Sequence, residues 1–271
     1  MAQAVDYEAV KTIQKGVWSK GNFAMIATRM AIVGEELCES AEVTPGDRVL
    51  DVACGSGNVA IAAARRYGEV VGLDYVPELL EHGRARAKTE GLEIEFVEGD
   101  AENMPFPDAS FDVVLSTYGA MFAPDQQRAA DELLRVCRPG GRIGMGNWTP
   151  DGMVGEMFKI VSGHAPPPFK IDPPVLWGTE ERVRELFGDG ISDLRCERKY
   201  FNLRSYSPEY NLEYFKTWFG PTKAAFERLD EAGQAALADD LLELARRHNM
   251  AGDRALVAPA AYLEVVATRA G

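Results

Sequence analysis

No run of about 18 apolar residues occurs anywhere in the sequence, so no membrane-spanning helix is expected. Positive charge is short as well. Lys and Arg number 29 against 42 Asp and Glu, a net charge of −13, whereas a phosphate backbone is held by a basic surface; nucleic acid is excluded as the main partner. Cysteine is scarce and scattered: Cys38, Cys54, Cys137 and Cys196 form no C-x-x-C pair. Reduced thiols in a cytoplasmic protein fit that spacing better than a disulfide framework or a zinc site, and no metal site is expected. Only His82, His164 and His248 are present, which leaves few candidates for a general base. The N-terminus mixes Asp6, Glu8 and Lys11 with apolar residues and lacks the apolar core of a signal peptide. Neither an internal repeat nor a low-complexity tract interrupts the chain.

What remains is a chain with 46% hydrophobic and 26% charged residues, ordinary values for a soluble globular protein. Its 271 residues suit one large domain, or one with a sizeable insertion. The stretch Val49-Leu50-Asp51-Val52-Ala53-Cys54-Gly55-Ser56-Gly57-Asn58 organises the rest. It reads as a buried strand, Arg48 to Ala53, entering a glycine turn that opens into an alanine-rich helix, Val59 to Arg66. Such a unit directs backbone N–H groups and the positive end of a helix dipole at whatever lies over the turn. Gly55 and Gly57 allow positive φ and the close approach of a ligand.

Later strands repeat an acidic punctuation. A second strand, Glu69 to Leu73, ends in Asp74, 17 positions after Gly57. That is close to the offset of about 20 residues at which a carboxylate meets ribose hydroxyls in dinucleotide-binding folds. Pro77 suits the first turn of a helix, Glu78 to Glu90. A third strand, Ile94 to Glu98, ends in Gly99-Asp100-Ala101-Glu102. The fourth, Phe111 to Leu115, ends in Ser116-Thr117-Tyr118. A helix over Gln126 to Val136 leads through a hairpin-like turn, Arg138 to Gly141, into a fifth strand, Arg142 to Asn147. This alternation predicts a doubly wound, mostly parallel α/β sheet covered on both faces. Upstream lie a short helix and turn over 1–23 and a helix over 24–41. Downstream the spacing predicts an irregular or short-helical cap over 151–190, a sixth strand over 194–204, helices over 208–250 broken at Gly220-Pro221, and a last strand over Ala260 to Thr268.

These motifs resemble those of the class I S-adenosylmethionine-dependent methyltransferases, in the small-molecule branch that includes quinone-biosynthesis enzymes (type 11). Asp51 to Asn58 is similar to that family's first motif, Asp74 to its ribose-binding acid, Gly99-Asp100-Ala101 to its adenine-contacting motif, and Leu133 to Gly141 to the turn before its fifth strand. Ala53 and Asn58 depart from the glycines many members carry. The resemblance implies a Rossmann-like sheet of seven strands, the last antiparallel and inserted beside the sixth, with a single domain over 1–271 and a cofactor-binding core over 42–150. Segments 1–23, 151–190 and 208–250 are expected to cap the acceptor site. It further implies S-adenosyl-L-methionine as cofactor. Asp51 is expected at the methionyl amino group, Asp74 at the ribose, and Asp100, Ala101 and Glu102 at the adenine end. Ala53 and Asn58 belong to the same cofactor loop, and backbone N–H groups near Gly55 and Gly57 are expected at the methionyl end. Tyr75, Leu79 and Phe122 are candidates for packing on adenine or ribose, and Ser116 and Tyr118 for a place beneath the methyl group.

The acceptor side is less defined. Trp18 reads either as core or as a residue closing over the cofactor. His164, in the proline-rich segment, is the candidate general base, with a structural role as the alternative. Tyr206, Tyr210 and Tyr214 share a helix face and read as a core stripe or as an aromatic pocket. The expected activity is methyl transfer to a small molecule by a cytoplasmic enzyme; the oligomeric state is left open, with a homodimer as the candidate. The alternatives are a non-catalytic methyltransferase-like module and an NAD-dependent oxidoreductase. A nucleic-acid methyltransferase is disfavoured by the acidic charge and by Val175 where an aromatic would follow Asp172-Pro173-Pro174.

Overall fold

The computed structural model describes residues 5–271; residues 1–4 of the expected cap segment 1–23 lie outside the described residues. The chain opens with three short helices, α1 (Tyr7–Trp18), α2 (Phe23–Ala27) and α3 (Ala31–Ser40). The helix expected over 24–41 is therefore interrupted, by a 3-10 turn at Thr28–Met30. Then follow β1 (Arg48–Val52), α4 (Asn58–Arg65), β2 (Glu69–Asp74), α5 (Pro77–Glu90), β3 (Ile94–Glu98), β4 (Phe111–Thr117), α6 (Gln126–Val136) and β5 (Cys137–Trp148). The second half comprises α7 (Met153–His164), α8 (Glu180–Phe187), β6 (Ile191–Ser205), α9 (Pro208–Trp218), α10 (Gly220–Glu227), α11 (Glu231–His248) and β7 (Leu256–Arg269).

The strands form one seven-stranded sheet in the order β3-β2-β1-β4-β5-β7-β6. β1 to β5 run parallel, and β7 is antiparallel to both neighbours. Strands covered on both faces must be apolar throughout, and Val49, Leu50, Val52, Val113, Val114 and Leu115 have no more than trace exposure. β1 pairs β2 on one side and β4 on the other. Connections therefore leave in opposite directions there, opening a crevice at the carboxyl ends of β1 and β4.

Local signals fix the helix ends. Pro77 occupies the first turn of α5, and Gly91 at φ 66° ends it. Asp125 caps α6 by accepting from Arg128 N, and Asp230 caps α11 by accepting from Gly233 N.

The second half departs from expectation in extent. β5 begins at Cys137, because Cys137 already pairs with Phe111; the turn expected at Arg138 to Gly141 is an irregular stretch of strand. β6 and β7 pair along nearly their whole lengths, from Ile191↔Arg269 to Ser205↔Leu256, so both outrun the apolar alternation that marked them. The segment 151–190 is more helical than its prolines suggest. It also divides in two: α7 packs against α11, while Trp177, Val183, Leu186 and Phe187 are buried in the main core beside α6. The helical stretch 208–250 has a second break, at Arg228–Asp230.

Candidate active site

Two strand ends build the floor of the crevice. The turn after β1 carries Ala53 at φ 52°, Gly55 at φ 56° and Gly57 at φ 77°. Left-handed backbone is strained for an alanine, and such strain persists where the surroundings over-determine it. Here Cys54 N donates to Leu73 O at 2.9 Å, and Gly57 N to Cys54 O at 2.8 Å. After β4, Tyr118 also has positive φ, 54°. Ser116 ties the two ends together: its hydroxyl donates to Val52 O at 2.7 Å and accepts from Ala120 N at 2.9 Å. A Cβ on Gly119 would lie 2.4 Å from Ala53 O, so the loops meet at a distance only glycine permits.

Asp74 closes the next side. Its carboxylate accepts from Gly55 N at 2.8 Å and from Val76 N at 2.9 Å. Burial pushes its pKa up to about 6, against the pull of those N–H groups. Asp100, at the end of β3, accepts from Glu102 N at 2.9 Å and holds Lys11 Nζ of α1 at 2.7 Å. Lys11 also lies 3.3 Å from Glu102. Burial works against its charge, but hydrogen bonds to Asp100 and Glu8 keep its pKa above the usual lysine value.

Between these walls lies a cavity of about 670 Å³, its solvent-open mouth included. Of the residues picked out in the sequence, Ala53, Gly55, Asp74, Tyr75 and Leu79 line it from the β1 and β2 side, and Asp100 and Ala101 from β3. Trp18, Tyr118 and Phe122 line it from the other side. Lys11, Gln14, Phe23 and Gly119 also line it and were not singled out; only the fold brings α1 and α2 over the sheet.

Five expected cofactor-loop or strand-end residues make contacts within the fold and stand outside the cavity lining. Asp51 is 1% exposed, and its carboxylate accepts from Ala60 N at 2.9 Å, holding the first turn of α4. Asn58 donates to Ala27 O at 2.7 Å and accepts from Arg86 at 2.9 Å, joining α2 to α5. Gly57 packs against the Phe96 ring. Ser116 spans two loops, and Glu102 accepts from Asp125 N at 2.8 Å. None of the five lines the cavity. The N–H groups of Gly55 and Gly57, expected to face a ligand, are occupied by Asp74 and by Cys54 O, because closing so tight a turn uses them.

Burial also pushes the Asp51 pKa up, to about 8. A carboxyl that keeps its proton in the fold but not in the unfolded chain stabilises the protein fully below about pH 4, and that contribution is lost as pH rises to about 8. Asp51→Asn, which retains an acceptor for Ala60 N, is expected to raise the melting temperature by about 3 °C or more at pH 9. Thermal denaturation as a function of pH checks this; the gain should shrink steadily toward pH 4.

A second cavity, about 970 Å³ with its mouth, adjoins the first. α7, α9, α10, α11, β6 and the start of the chain enclose it. Its lining contains no Asp, Glu, Lys, Arg or His. Trp18, Phe23, Tyr118 and Phe122 line both cavities and so form their common wall. Within it Trp18 meets Phe122 edge-on at 5.2 Å and Phe23 at 5.6 Å, while Tyr118 stacks on Trp148 at 3.7 Å.

His164 is not part of this chamber. It ends α7, beyond the last lining residue Phe158, and its Nε2 lies 2.6 Å from Asp240 Oδ2 on α11. His248 makes a second α7–α11 link, 3.0 Å from Glu156. Tyr118, expected beneath the methyl group, lies in the wall between the two cavities; its hydroxyl is buried without a partner, and burial holds its pKa well above the usual tyrosine value. Tyr206 and Tyr210 lie on the outside, 80% and 46% exposed, and Tyr214 sits beneath Arg29. The inward face of α9 is instead Asn211, Leu212 and Phe215.

Residues 49–141 match the methyltransferase domain family. An uncharacterized protein of Mycobacterium tuberculosis is 40% identical over 246 residues, 89% of this chain and 90% of its own length. The demethylmenaquinone methyltransferase of Deinococcus radiodurans is 38% identical over 143 residues, 51% of this chain and 57% of that protein. Among solved structures, the YcgJ protein of Bacillus subtilis superposes with a TM-score of 0.62 at 18% identity, over 88% of this chain and 98% of its own, a likeness of fold. The oxidoreductase and the non-catalytic module fall away. The chain belongs to the class I S-adenosylmethionine-dependent methyltransferases, type 11 branch, and is an enzyme that uses S-adenosylmethionine.

Proposed function

We propose that the protein methylates a bulky, predominantly apolar small molecule seated in the uncharged chamber. The observation that carries this reading is the common aromatic wall between that chamber and the cavity ringed by Asp74 and Asp100. In this reading Asp74 accepts from the ribose hydroxyls with the lone pairs left free by Gly55 and Val76. Asp100 and Ala101 meet the adenine edge, with Tyr75 and Leu79 packing beside the nucleoside. Gly55 contributes an absence of side chain, and Asp51 shapes the loop from behind. Lys11 holds the carboxylate assigned to adenine, so α1 and the cofactor contact the same acid.

The cofactor supplies an activated methyl group on a sulfonium. The chain's own part is to align the acceptor and exclude water. The faces of Trp18, Phe23, Tyr118 and Phe122 favour a cation at that point. No titratable side chain among the described residues except Tyr118 lines the chamber, so in this reading the transfer proceeds without a protein base. His164→Gln is accordingly expected to leave kcat/KM within about twofold of wild type, since an exposed pairing with a carboxylate contributes at most about 1 kcal/mol; a loss of a hundredfold would restore His164 as the base. A cap formed by α1, α7 and α9–α11 in a single domain completes the proposal. No helix among the described residues is long and apolar enough to cross a membrane; with four free thiols, we place the enzyme in the cytoplasm.

The direct test is incubation with trideuteromethyl-labelled S-adenosylmethionine and a panel of neutral lipophilic and charged polar small molecules, read by mass spectrometry. Label is expected in the neutral lipophilic members. Label confined to charged polar members would contradict the proposal.

A further inference from the structure

Apart from the Tyr118 hydroxyl and the indoles of Trp18 and Trp148, the only chamber-lining residues with a polar side-chain end, among the described residues, are Asn211 and Thr222. Asn211 of α9, 9% exposed, lines the chamber, and its side-chain Oδ1 is buried without a hydrogen-bond partner. Thr222 of α10, 3% exposed, lines the same chamber. An unpartnered buried amide is destabilising, whereas an apolar residue of similar shape in its place is nearly neutral. Such a group becomes favourable when a ligand satisfies it. Both residues come from the insertion between β6 and β7, whereas Tyr118 and Phe122, of the wall shared with the cofactor cavity, come from the end of β4.

We infer that Asn211, with Thr222, is the polar anchor of the acceptor, and that the acceptor is an uncharged apolar molecule carrying one hydroxyl- or amide-type group away from the methylated atom. This rests on the chamber being the acceptor site of the methyltransferase. Charge is excluded because an ion taken from water into a chamber without a counter-charge is heavily penalised. A site built to hydrogen-bond one group discriminates strongly against the analogue that lacks it, since its own polar atoms are then left unpaired. Asn211 is thus a specificity residue, and the surrounding Leu212, Phe215 and Met157 supply bulk affinity.

The test uses the full chain saturated with S-adenosylhomocysteine and three probes of one shape: 2-naphthol, naphthalene and 2-naphthoate, titrated calorimetrically. The wild type is expected to bind 2-naphthol about tenfold more tightly than naphthalene, and 2-naphthoate at least about tenfold more weakly than 2-naphthol. Asn211→Leu is expected to bring 2-naphthol down to the affinity of naphthalene, to leave the naphthalene and S-adenosylhomocysteine affinities unchanged, and to raise the melting temperature slightly, since it removes an unpartnered buried oxygen. Thr222→Val removes only a hydroxyl and is expected to lower the preference for 2-naphthol by about threefold; it serves if the leucine variant does not fold. Equal binding of 2-naphthol and naphthalene, equal binding of the anion, no binding of any probe, or a preference that survives both substitutions overturns the inference. S-adenosylhomocysteine affinity is measured separately: failure of the wild type to bind it would count against the methyltransferase reading itself, whereas normal binding with the wrong probe order sinks the anchor alone.

Discussion

Asp74→Ala is expected to weaken S-adenosylmethionine binding by about 1–3 kcal/mol, a factor of about 5 to 150, through the loss of charge-assisted hydrogen bonds. The same carboxylate also holds Gly55 N and Val76 N, so the substitution frees two backbone donors beside the cavity. Asp74→Asn separates the two roles, because its amide oxygen can still accept from Gly55 while the charge is gone. Calorimetric titration of both variants gives the answer. If alanine leaves the affinity unchanged, the ribose contact is wrong; if asparagine binds as the wild type does, the carboxylate acts on the loop alone. Acid should weaken binding too, since a carboxyl with a pKa near 6 loses its charge below that pH.

Gly119→Val should be as damaging by a different route. Its Cβ would lie 2.4 Å from Ala53 O and 2.8 Å from Ala53 Cβ, and backbone atoms cannot swing aside as a flexible side chain would. Ala53 is already at φ 52°, so the loop has little room to yield. Overpacking of this kind costs about 1–3 kcal/mol of stability. It also displaces the part of the floor nearest the shared wall, and cofactor affinity is expected to fall at least about tenfold. Gly16→Ala is the control. It lies within α1 with nothing within 4 Å of its Cβ position, and should stabilise the protein by a few tenths to about 1 kcal/mol. Melting curves and S-adenosylhomocysteine titrations of the pair decide the matter; normal affinity in Gly119→Val would remove this loop contact from the account.

The sheet was legible because its signals are local. A strand, a Gly-x-Gly turn and a helix follow one another within a few residues of Asp51, and carboxylates mark the ends of β2 and β3. The same motif says less about detail. Asp51, Asn58 and Ser116 stand where a cofactor residue is expected, yet each spends its hydrogen bonds on Ala60, Ala27, Val52 or Ala120. A carboxylate in a motif does not announce which way it faces. The chamber was far less readable, since its lining comes from α1, α2, α7, β6 and α9–α11, which meet only in space. The repeat of Tyr206, Tyr210 and Tyr214 starts before α9 and does not mark its inward face, which is Pro208, Asn211, Leu212 and Phe215. The prolines around His164 suggest a place in the cap, but α7 carries it past the chamber to Asp240.

The central claim is that the donor lies over the ends of β1, β2 and β3 with its sulfur against the wall shared with the apolar chamber. A crystal structure of the complex with S-adenosylhomocysteine tests it most directly. The account predicts the ribose on Asp74, the adenine beside Asp100 and Leu79, and the sulfur facing Trp18, Phe23, Tyr118 and Phe122. A nucleoside bound outside this cavity, or a sulfur turned away from that wall, would contradict it.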